Sequence, residues 1–231
     1  MIKINPELHT LVWGTESWHK PPKPFEHLLF KVIDAKDKLS VQVHPGDDYA
    51  EKHENGSLGK TEVWYILDAK PGANLVYGLK PGVTKKDFEN AVVGGDGNRP
   101  GNPIENLLKF VPARKGDIFF IPAGLVHAIG EGIILAELQQ NSDITYRVYD
   151  YNRKPERELH ISKALDVVEE GCGGCTSSPV ICEYFSMEEV KVADEFIAPE
   201  ACLVFALQTR ELFYINTNEK IKIKGKMLLM K

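Results

Sequence analysis

The sequence predicts an all-β fold, a β-barrel with short inserted helices. Between residues 28 and 149, short segments that are apolar, or that alternate polar and apolar residues, are separated by glycine, proline and asparagine. The stretch from Gly116 to His127 combines a glycine turn, an apolar segment and a Pro-x-Gly turn. These features favour short strands joined by tight corners, as in a small barrel.

The same stretch carries the most specific motif of the chain. From Gly116 to His127 the residues are Gly-Asp-Ile-Phe-Phe-Ile-Pro-Ala-Gly-Leu-Val-His, which gives the pattern G-x5-P-x-G-x2-H. This pattern resembles the second motif of the cupin, or jelly-roll, β-barrels. The resemblance implies that His127 points into the barrel and binds a metal at its mouth.

Alternation predicts where the remaining metal ligands lie. In a strand that contains residues 40–44, the side chains of Ser40, Gln42 and His44 share one face. In a second strand, Lys60 and Glu62 share a face. Imidazole, carboxylate and amide oxygen suit a divalent first-row metal, zinc above all.

Strands and helices can be assigned along the chain. Segments 28–33 and 39–43 flank a charged turn and predict a hairpin, and segments 62–67 and 74–77 predict a second one. Further strands are predicted at 118–121, 133–138 and 145–149. Short helices are predicted at 47–54, at 84–94 after a capping box from Thr84 to Asp87, at 102–109 with Asn102 and Pro103 at its start, and at 162–170.

A glycine-rich loop divides the chain into two predicted domains. Residues 1–170 are predicted to form a metal-binding cupin catalytic domain with helical insertions. Residues 171–231 are predicted to form a partial cupin-like β-domain that is metal-free, because no histidine follows His160. Since this segment ends about where a final turn is expected, we expect it to expose a strand edge.

Four cysteines lie in the last third of the chain. Cys172 and Cys175 could form half of a zinc site or a redox pair, although no βα pattern places them at a helix N-terminus. The simpler interpretation is a loop with two thiols, followed by strands in which Cys182 and Cys202 are buried.

Composition limits the function classes. The net charge is −5, and no basic run interleaves with aromatic residues, so nucleic acid is an unexpected partner. No segment is apolar enough for a signal peptide or a membrane span, so a cytoplasmic protein without membrane contact is expected. We expect a monomer or a weak homodimer.

Four separated motifs together resemble the type I mannose-6-phosphate isomerases, in particular their short prokaryotic branch. They are Ser-Val-Gln-Val-His-Pro at 40–45, Gly-Lys-Thr-Glu at 59–62, Pro-Ala-Gly-Leu-Val-His-Ala at 122–128 and the segment 137–151. The likeness extends from about Trp13 to Glu170. The long insertion between His44 and Glu62, and Gln42 in place of a first histidine, are features of that family.

The resemblance implies a role for each candidate residue. Gln42, His44, Glu62 and His127 correspond to the ligands of one zinc ion per chain. Lys60, Glu137 and Arg147 correspond to catalytic residues, and Ser40, Lys60 and Arg147 to residues that bind the substrate, a small sugar phosphate.

The implied reaction is the interconversion of D-mannose 6-phosphate and D-fructose 6-phosphate through a cis-enediol. Arg147 is expected to stabilise the phosphate or the enediolate, and Glu137 with Lys60 to transfer or position the proton, which leaves the identity of the base open. Two alternatives remain: a non-catalytic sugar-binding or regulatory cupin, and another metal-cupin enzyme such as an iron dioxygenase. The second is disfavoured by Gln42, because such sites generally use a His-x-His pair.

Overall fold

The computed structural model describes residues 1–94, 104–171 and 177–231. The strands are β1 (Ile2–Ile4), β2 (Glu7–Leu11), β3 (Gly14–His19), β4 (Leu28–Ala35), β5 (Val41–Val43), β6 (Glu62–Ala69), β7 (Asn74–Leu79), β8 (Leu108–Pro112), β9 (Ile118–Ile121), β10 (His127–Ile129), β11 (Ile133–Gln140), β12 (Tyr146–Tyr149), β13 (Val180–Ile181), β14 (Ser186–Val192), β15 (Glu195–Ile197), β16 (Cys202–Ala206), β17 (Glu211–Ile215), β18 (Lys220–Lys222) and β19 (Gly225–Met230). The helices are α1 (Asp47–His53), α2 (Lys85–Gly94), α3 (Ile104–Leu107) and α4 (Ile161–Val167).

The predicted all-β class with short helices is confirmed. The first two thirds of the chain form two antiparallel sheets, a six-stranded one in the order β2-β3-β4-β11-β6-β9 and a five-stranded one in the order β12-β5-β10-β7-β8. Successive strands from β4 onward mostly cross from one sheet to the other, which is the connectivity of a jelly roll. Residues far apart in sequence therefore meet on the facing inner surfaces.

The two predicted hairpins were wrong, although their strands exist. Strands β4 and β5 lie in different sheets, and so do β6 and β7. In each case the turn carries the chain across the sandwich instead of pairing the flanking strands. Alternating apolar residues show that a strand has a buried face, but they do not show which strand it pairs with.

The space between the two sheets is filled by apolar side chains at one end and polar ones at the other. The apolar part includes Ile33, Trp64, Leu75, Phe119 and Leu135, all nearly inaccessible to solvent. The polar part contains the candidate site. This division follows from the strand alternation, because inward positions near the ends of β6 and β11 carry carboxylates and amides.

Helices cover the outer face of the five-stranded sheet. Helix α2 starts after Thr84, whose hydroxyl receives a hydrogen bond from the Asp87 backbone N–H while the Asp87 carboxylate accepts the Thr84 backbone N–H, so the predicted capping box is confirmed. Helix α1 lies where it was predicted, whereas α4 begins as predicted but ends at Val167, before the predicted end at residue 170. The predicted helix at 102–109 is shorter than expected, because β8 begins at Leu108; Asn102 and Pro103 lie outside the described residues.

The C-terminal third packs against the outer face of the six-stranded sheet. It contributes most of a second six-stranded sheet, in the order β1-β17-β16-β19-β14-β13, and the two-stranded pair β15-β18. Strand β6 is therefore buried on both faces. Strand β1 pairs with β17, so the first residues of the chain join the C-terminal sheet, and the division at 170/171 stays a prediction.

Two of the four cysteines, Cys182 and Cys202, lie in the described part of this region. Cys202 is buried in β16, as expected, whereas Cys182 is half-buried just after the short strand β13. Cys172 and Cys175 lie outside the described residues. Among the described helices, none combines the length and the apolar character needed to span a bilayer.

Candidate metal centre

Strand register brings Gln42, His127 and Arg147 together on the inner face of the five-stranded sheet. Val41 and Val43 are fully buried under the helices, so Ser40, Gln42 and His44 turn to the opposite face. Gln42 in β5 is opposite His127 in β10 on one side and Arg147 in β12 on the other.

His44, Glu62 and His127 form a buried cluster. The Nε2 atoms of the two histidines are 3.1 Å apart, and His44 Nε2 lies 3.2 Å from Glu62 Oε1. His127 Nε2 lies 3.9 Å from Glu62 Oε2. One ligand atom from each residue lies within 4.8 Å of the others, which is compatible with binding of a single metal ion.

Hydrogen bonding sets the orientation of the cluster. His127 Nδ1 donates to the backbone oxygen of Leu125 at 2.9 Å, so its Nε2 presents a lone pair to the cluster. The Gln42 amide nitrogen is 3.4 Å from the same Nε2 atom. Rotating this amide by half a turn exchanges its nitrogen and oxygen. The amide oxygen would then face the cluster as a further ligand. The donor set therefore fits a divalent metal.

The protonation states also favour a cation. Burial, followed by the charge of Lys60, lowers the pKa of His44 to about 3. Burial likewise lowers the pKa of His127. Burial alone would raise the pKa of Glu62, but Lys60 and His44 hold it well below its usual range. The cluster is thus two neutral imidazoles and one carboxylate at neutral pH, the forms that bind metals.

Lys60 lies against the cluster. Its Nζ is 2.9 Å from Glu62 Oε1 and 3.4 Å from His44 Nε2. Burial acts to lower the pKa of Lys60, but the charges of Glu62 and Glu137 outweigh it and raise the pKa. Lys60 therefore carries a positive charge at the carboxylate that a metal would share.

Trp64 connects the cluster to Glu137. Its indole nitrogen donates to Glu62 Oε2 at 3.0 Å and to Glu137 Oε2 at 2.7 Å. Lys31 Nζ is 3.3 Å from Glu137 Oε1. Burial and then the charge of Glu62 raise the pKa of Glu137 to about 7, against the opposing charges of Lys31 and Lys60. Glu137 can therefore gain or lose a proton near neutral pH.

A cavity of about 230 Å³ opens next to these groups. The predicted residues that line it are Ser40, Gln42, Lys60, Glu62, Glu137 and Arg147. Arg147 donates from Nε to the Ser40 hydroxyl at 3.3 Å and from Nη1 to the Glu158 backbone oxygen at 2.7 Å. His44 and His127 are the predicted residues outside the lining.

Sequence reasoning missed several residues that line the cavity, among them Glu16, Lys31, Asp143, Thr145 and Arg157. Lys31 had a signal, because it interrupts the apolar strand β4 at an inward position. Arg157 had none, since it lies in a loop.

Contacts with Asp150 and Trp13 hold Arg157 at the cavity wall. It donates from Nε and Nη2 to the buried carboxylate of Asp150 at 2.8 and 2.5 Å. Its guanidinium carbon lies 4.6 Å from the centre of the Trp13 ring, within cation–π range. Trp13, Trp18 and Trp64 all line the cavity, in agreement with their predicted place in the core or the pocket wall.

Comparison with known proteins finds similarity to mannose-6-phosphate isomerases. Over 146 residues, 62% of the chain, the sequence is 48% identical to a mannose-6-phosphate isomerase of Bacillus subtilis. Over 148 residues it is 45% identical to the mannose-6-phosphate isomerase of Streptococcus mutans. The chain spans 44% of the length of each of these relatives.

The fold extends the similarity to nearly the whole chain. The crystal structure of the Bacillus subtilis mannose 6-phosphate isomerase superimposes with a TM-score of 0.82 at 27% identity, covering 99% of this chain and 98% of that one. A putative mannosephosphate isomerase of Archaeoglobus fulgidus shares the fold, with a TM-score of 0.67 at 17% identity. No family model matches the sequence. In sequence over 62% of its length, and in fold over nearly all of it, the chain is thus similar to mannose-6-phosphate isomerases.

Proposed function

We propose that the protein interconverts D-mannose 6-phosphate and D-fructose 6-phosphate through a cis-enediol, with one zinc ion per chain. The observation that carries this proposal is the buried cluster of His44, Glu62 and His127 beside a cavity lined by Lys60, Glu137 and Arg147. Metal ligands, a proton-transfer group near neutral pKa and cationic groups thus occur within one site, as an aldose–ketose isomerisation requires.

His44, Glu62 and His127 would hold the zinc, with the oxygen of Gln42 as a fourth ligand. Two neutral imidazoles, one carboxylate and one amide leave net positive charge on the ion, and nitrogen and oxygen ligands of this kind suit zinc. When bound here, zinc supplies the Lewis acidity that favours the negatively charged enediolate over the neutral sugar.

We assign proton transfer between the two carbon atoms to Glu137. With its pKa raised to about 7, its carboxylate can take a proton from one carbon and return it to the other without a large energetic penalty. Trp64 and Lys31 hold the two carboxylate oxygens in place. Lys60, whose pKa is raised, stays protonated and donates hydrogen bonds to the sugar oxygens.

We assign Arg147 to the phosphate or the enediolate, and Arg157, which lines the same cavity, to the phosphate. Burial and then the charge of Arg157 lower the pKa of Arg147, so the two guanidinium groups lie close enough to repel each other. Arg153 and Arg157 share Asp150 as an anionic partner, and Arg153 also pairs with Asp37. A dianionic phosphate would relieve this repulsion through charge-assisted hydrogen bonds.

A coupled assay for fructose 6-phosphate, performed alongside metal analysis, tests the proposal. We expect the protein to turn over mannose 6-phosphate. This activity should be lost when a chelator removes the metal and should return when zinc is added. A non-catalytic sugar-binding cupin would bind the sugar phosphate without turnover, and a different metal-cupin enzyme would hold metal without this activity. The cytoplasmic location and the monomeric or weakly dimeric state stay predictions.

A further inference from the structure

Two of the proposed metal ligands, His44 and Glu62, lie on chain segments that are separated by helix α1. His44 is followed by Pro45, Gly46 and Asp47, which lead into the helix, and Gly59, Lys60 and Thr61 return the chain to Glu62 at the start of β6. Since the cluster needs His44 and Glu62 within about 3 Å of each other, the two segments must be held together at the base of the insertion.

One pair of side chains joins the two segments. Asp47 Oδ1 accepts hydrogen bonds from the Gly59 backbone N–H at 2.6 Å and from the Gln140 amide nitrogen at 2.9 Å. Gln140 Oε1 accepts the Thr61 backbone N–H at 3.0 Å. Segment 59–61 is thus hydrogen-bonded to the Asp47 side chain at one end and to the Gln140 side chain at the other.

Backbone contacts show how close the approach is. Lys60 N–H donates to the Pro45 oxygen at 2.9 Å. A Cβ atom added at Gly59 would lie 2.6 Å from the Asp47 nitrogen and 2.8 Å from the Pro45 oxygen, both backbone atoms that cannot move aside easily. Only glycine allows the two segments to touch here.

Gln140, at the end of β11, anchors this contact to the sheet. It is 97% buried, and its backbone N–H donates to the Thr61 oxygen at 3.2 Å, just beyond the last β6–β11 pair at Glu62. The hydrogen bonds between Gln140 and Thr61 therefore continue the pairing of β11 with β6 by one position, into the segment that carries Lys60.

We propose that Asp47 and Gln140 are positioning residues that set the separation of His44 from Glu62 and Lys60 at the metal cluster. Neither belongs to the metal cluster or lines the cavity. They act through the backbone at 59–61, and their loss lets this segment move away from residues 45–47. The proposal rests on the metal site of the proposed function.

Four variants of the full chain test this role, with zinc affinity measured by competition with a chelator. Asp47→Ala and Gln140→Ala are expected to weaken zinc binding about tenfold to a hundredfold, the usual effect of removing a group that orients a ligand. Asp47→Asn keeps an oxygen that accepts both hydrogen bonds and should bind zinc nearly as the unaltered protein does. Asp48→Ala is the matched control, because Asp48 is exposed in the same helical turn.

A second readout separates positioning from loss of fold. The far-UV circular dichroism of the metal-free proteins should be the same for all four variants. If an alanine variant does not fold, Gln140→Glu replaces it: it keeps the acceptor for Thr61 but sets a carboxylate against Asp47, so weaker zinc binding is expected.

The outcomes distinguish this proposal from the one on which it rests. If the unaltered protein does not bind zinc, the proposed metal site is wrong. If it binds zinc tightly and Asp47→Ala, Gln140→Ala and Gln140→Glu bind it as tightly as Asp48→Ala does, the positioning role is wrong.

Discussion

Replacing Arg147 by alanine separates catalysis from metal binding. No Arg147 atom bonds to the cluster, so the zinc content should not change. The variant loses a guanidinium that we assign to the phosphate or the enediolate. Removing one such stabilising group costs about a hundredfold to a thousandfold in kcat, or about 3 to 4 kcal/mol. Lysine should restore only part of this loss, because a point charge does not reproduce the planar fork of donors.

The effect on stability should be smaller than the effect on rate. Arg147 loses two hydrogen bonds, to Ser40 and to the Glu158 oxygen, in a half-buried position. At about 1 kcal/mol each, they contribute about 2 kcal/mol to the free energy of unfolding, or a fall of about 4 to 8 °C in Tm. The protein therefore stays folded at 25 °C while kcat collapses. Steady-state kinetics with metal analysis measures this, and an Arg147→Ala protein with normal kcat and normal zinc would refute the assignment.

Three further predictions concern the same site. Arg157→Ala should raise KM for the sugar phosphate at least tenfold but leave binding of the unphosphorylated sugar unchanged; equal losses for both sugars would contradict the phosphate assignment. His127→Ala should abolish zinc binding, measured by metal analysis after dialysis; retention of a full equivalent would remove His127 from the ligands. Because the pKa of His44 is lowered to about 3, this imidazole stays neutral as the pH falls, and the lowered pKa of His127 acts in the same direction, so zinc affinity should change little between about pH 7.5 and pH 5.5. A tenfold weakening of zinc binding over that range, measured by competition with a chelator, would show that a histidine of ordinary pKa binds the metal.

The sequence predicted much of the site because the relevant residues follow short-range rules. Alternation along β5 is enough to place Gln42 and His44 on one face, and the turn residues before His127 define its strand. Capping residues marked the start of α2 for the same reason, since a capping box spans only four residues.

The missing parts depend on contacts between distant segments. Whether β4 pairs with β5 or crosses to the other sheet depends on the packing of the whole sandwich, so both hairpins were wrongly predicted. Arg157 is held at the cavity by Asp150, a near neighbour in sequence, and by Trp13, which is distant in sequence. The bridge from Trp64 to Glu137 required the register of β6 against β11, which no local pattern encodes.

The most direct test of the account is the rate of fructose 6-phosphate formation from mannose 6-phosphate by the metal-stripped protein, as zinc is added back. We expect no activity without metal, and a rise that saturates at about one zinc per chain, as a single site with these ligands requires. Full activity in verified metal-free protein, or no activity in protein with one bound zinc, would contradict a zinc-dependent isomerase.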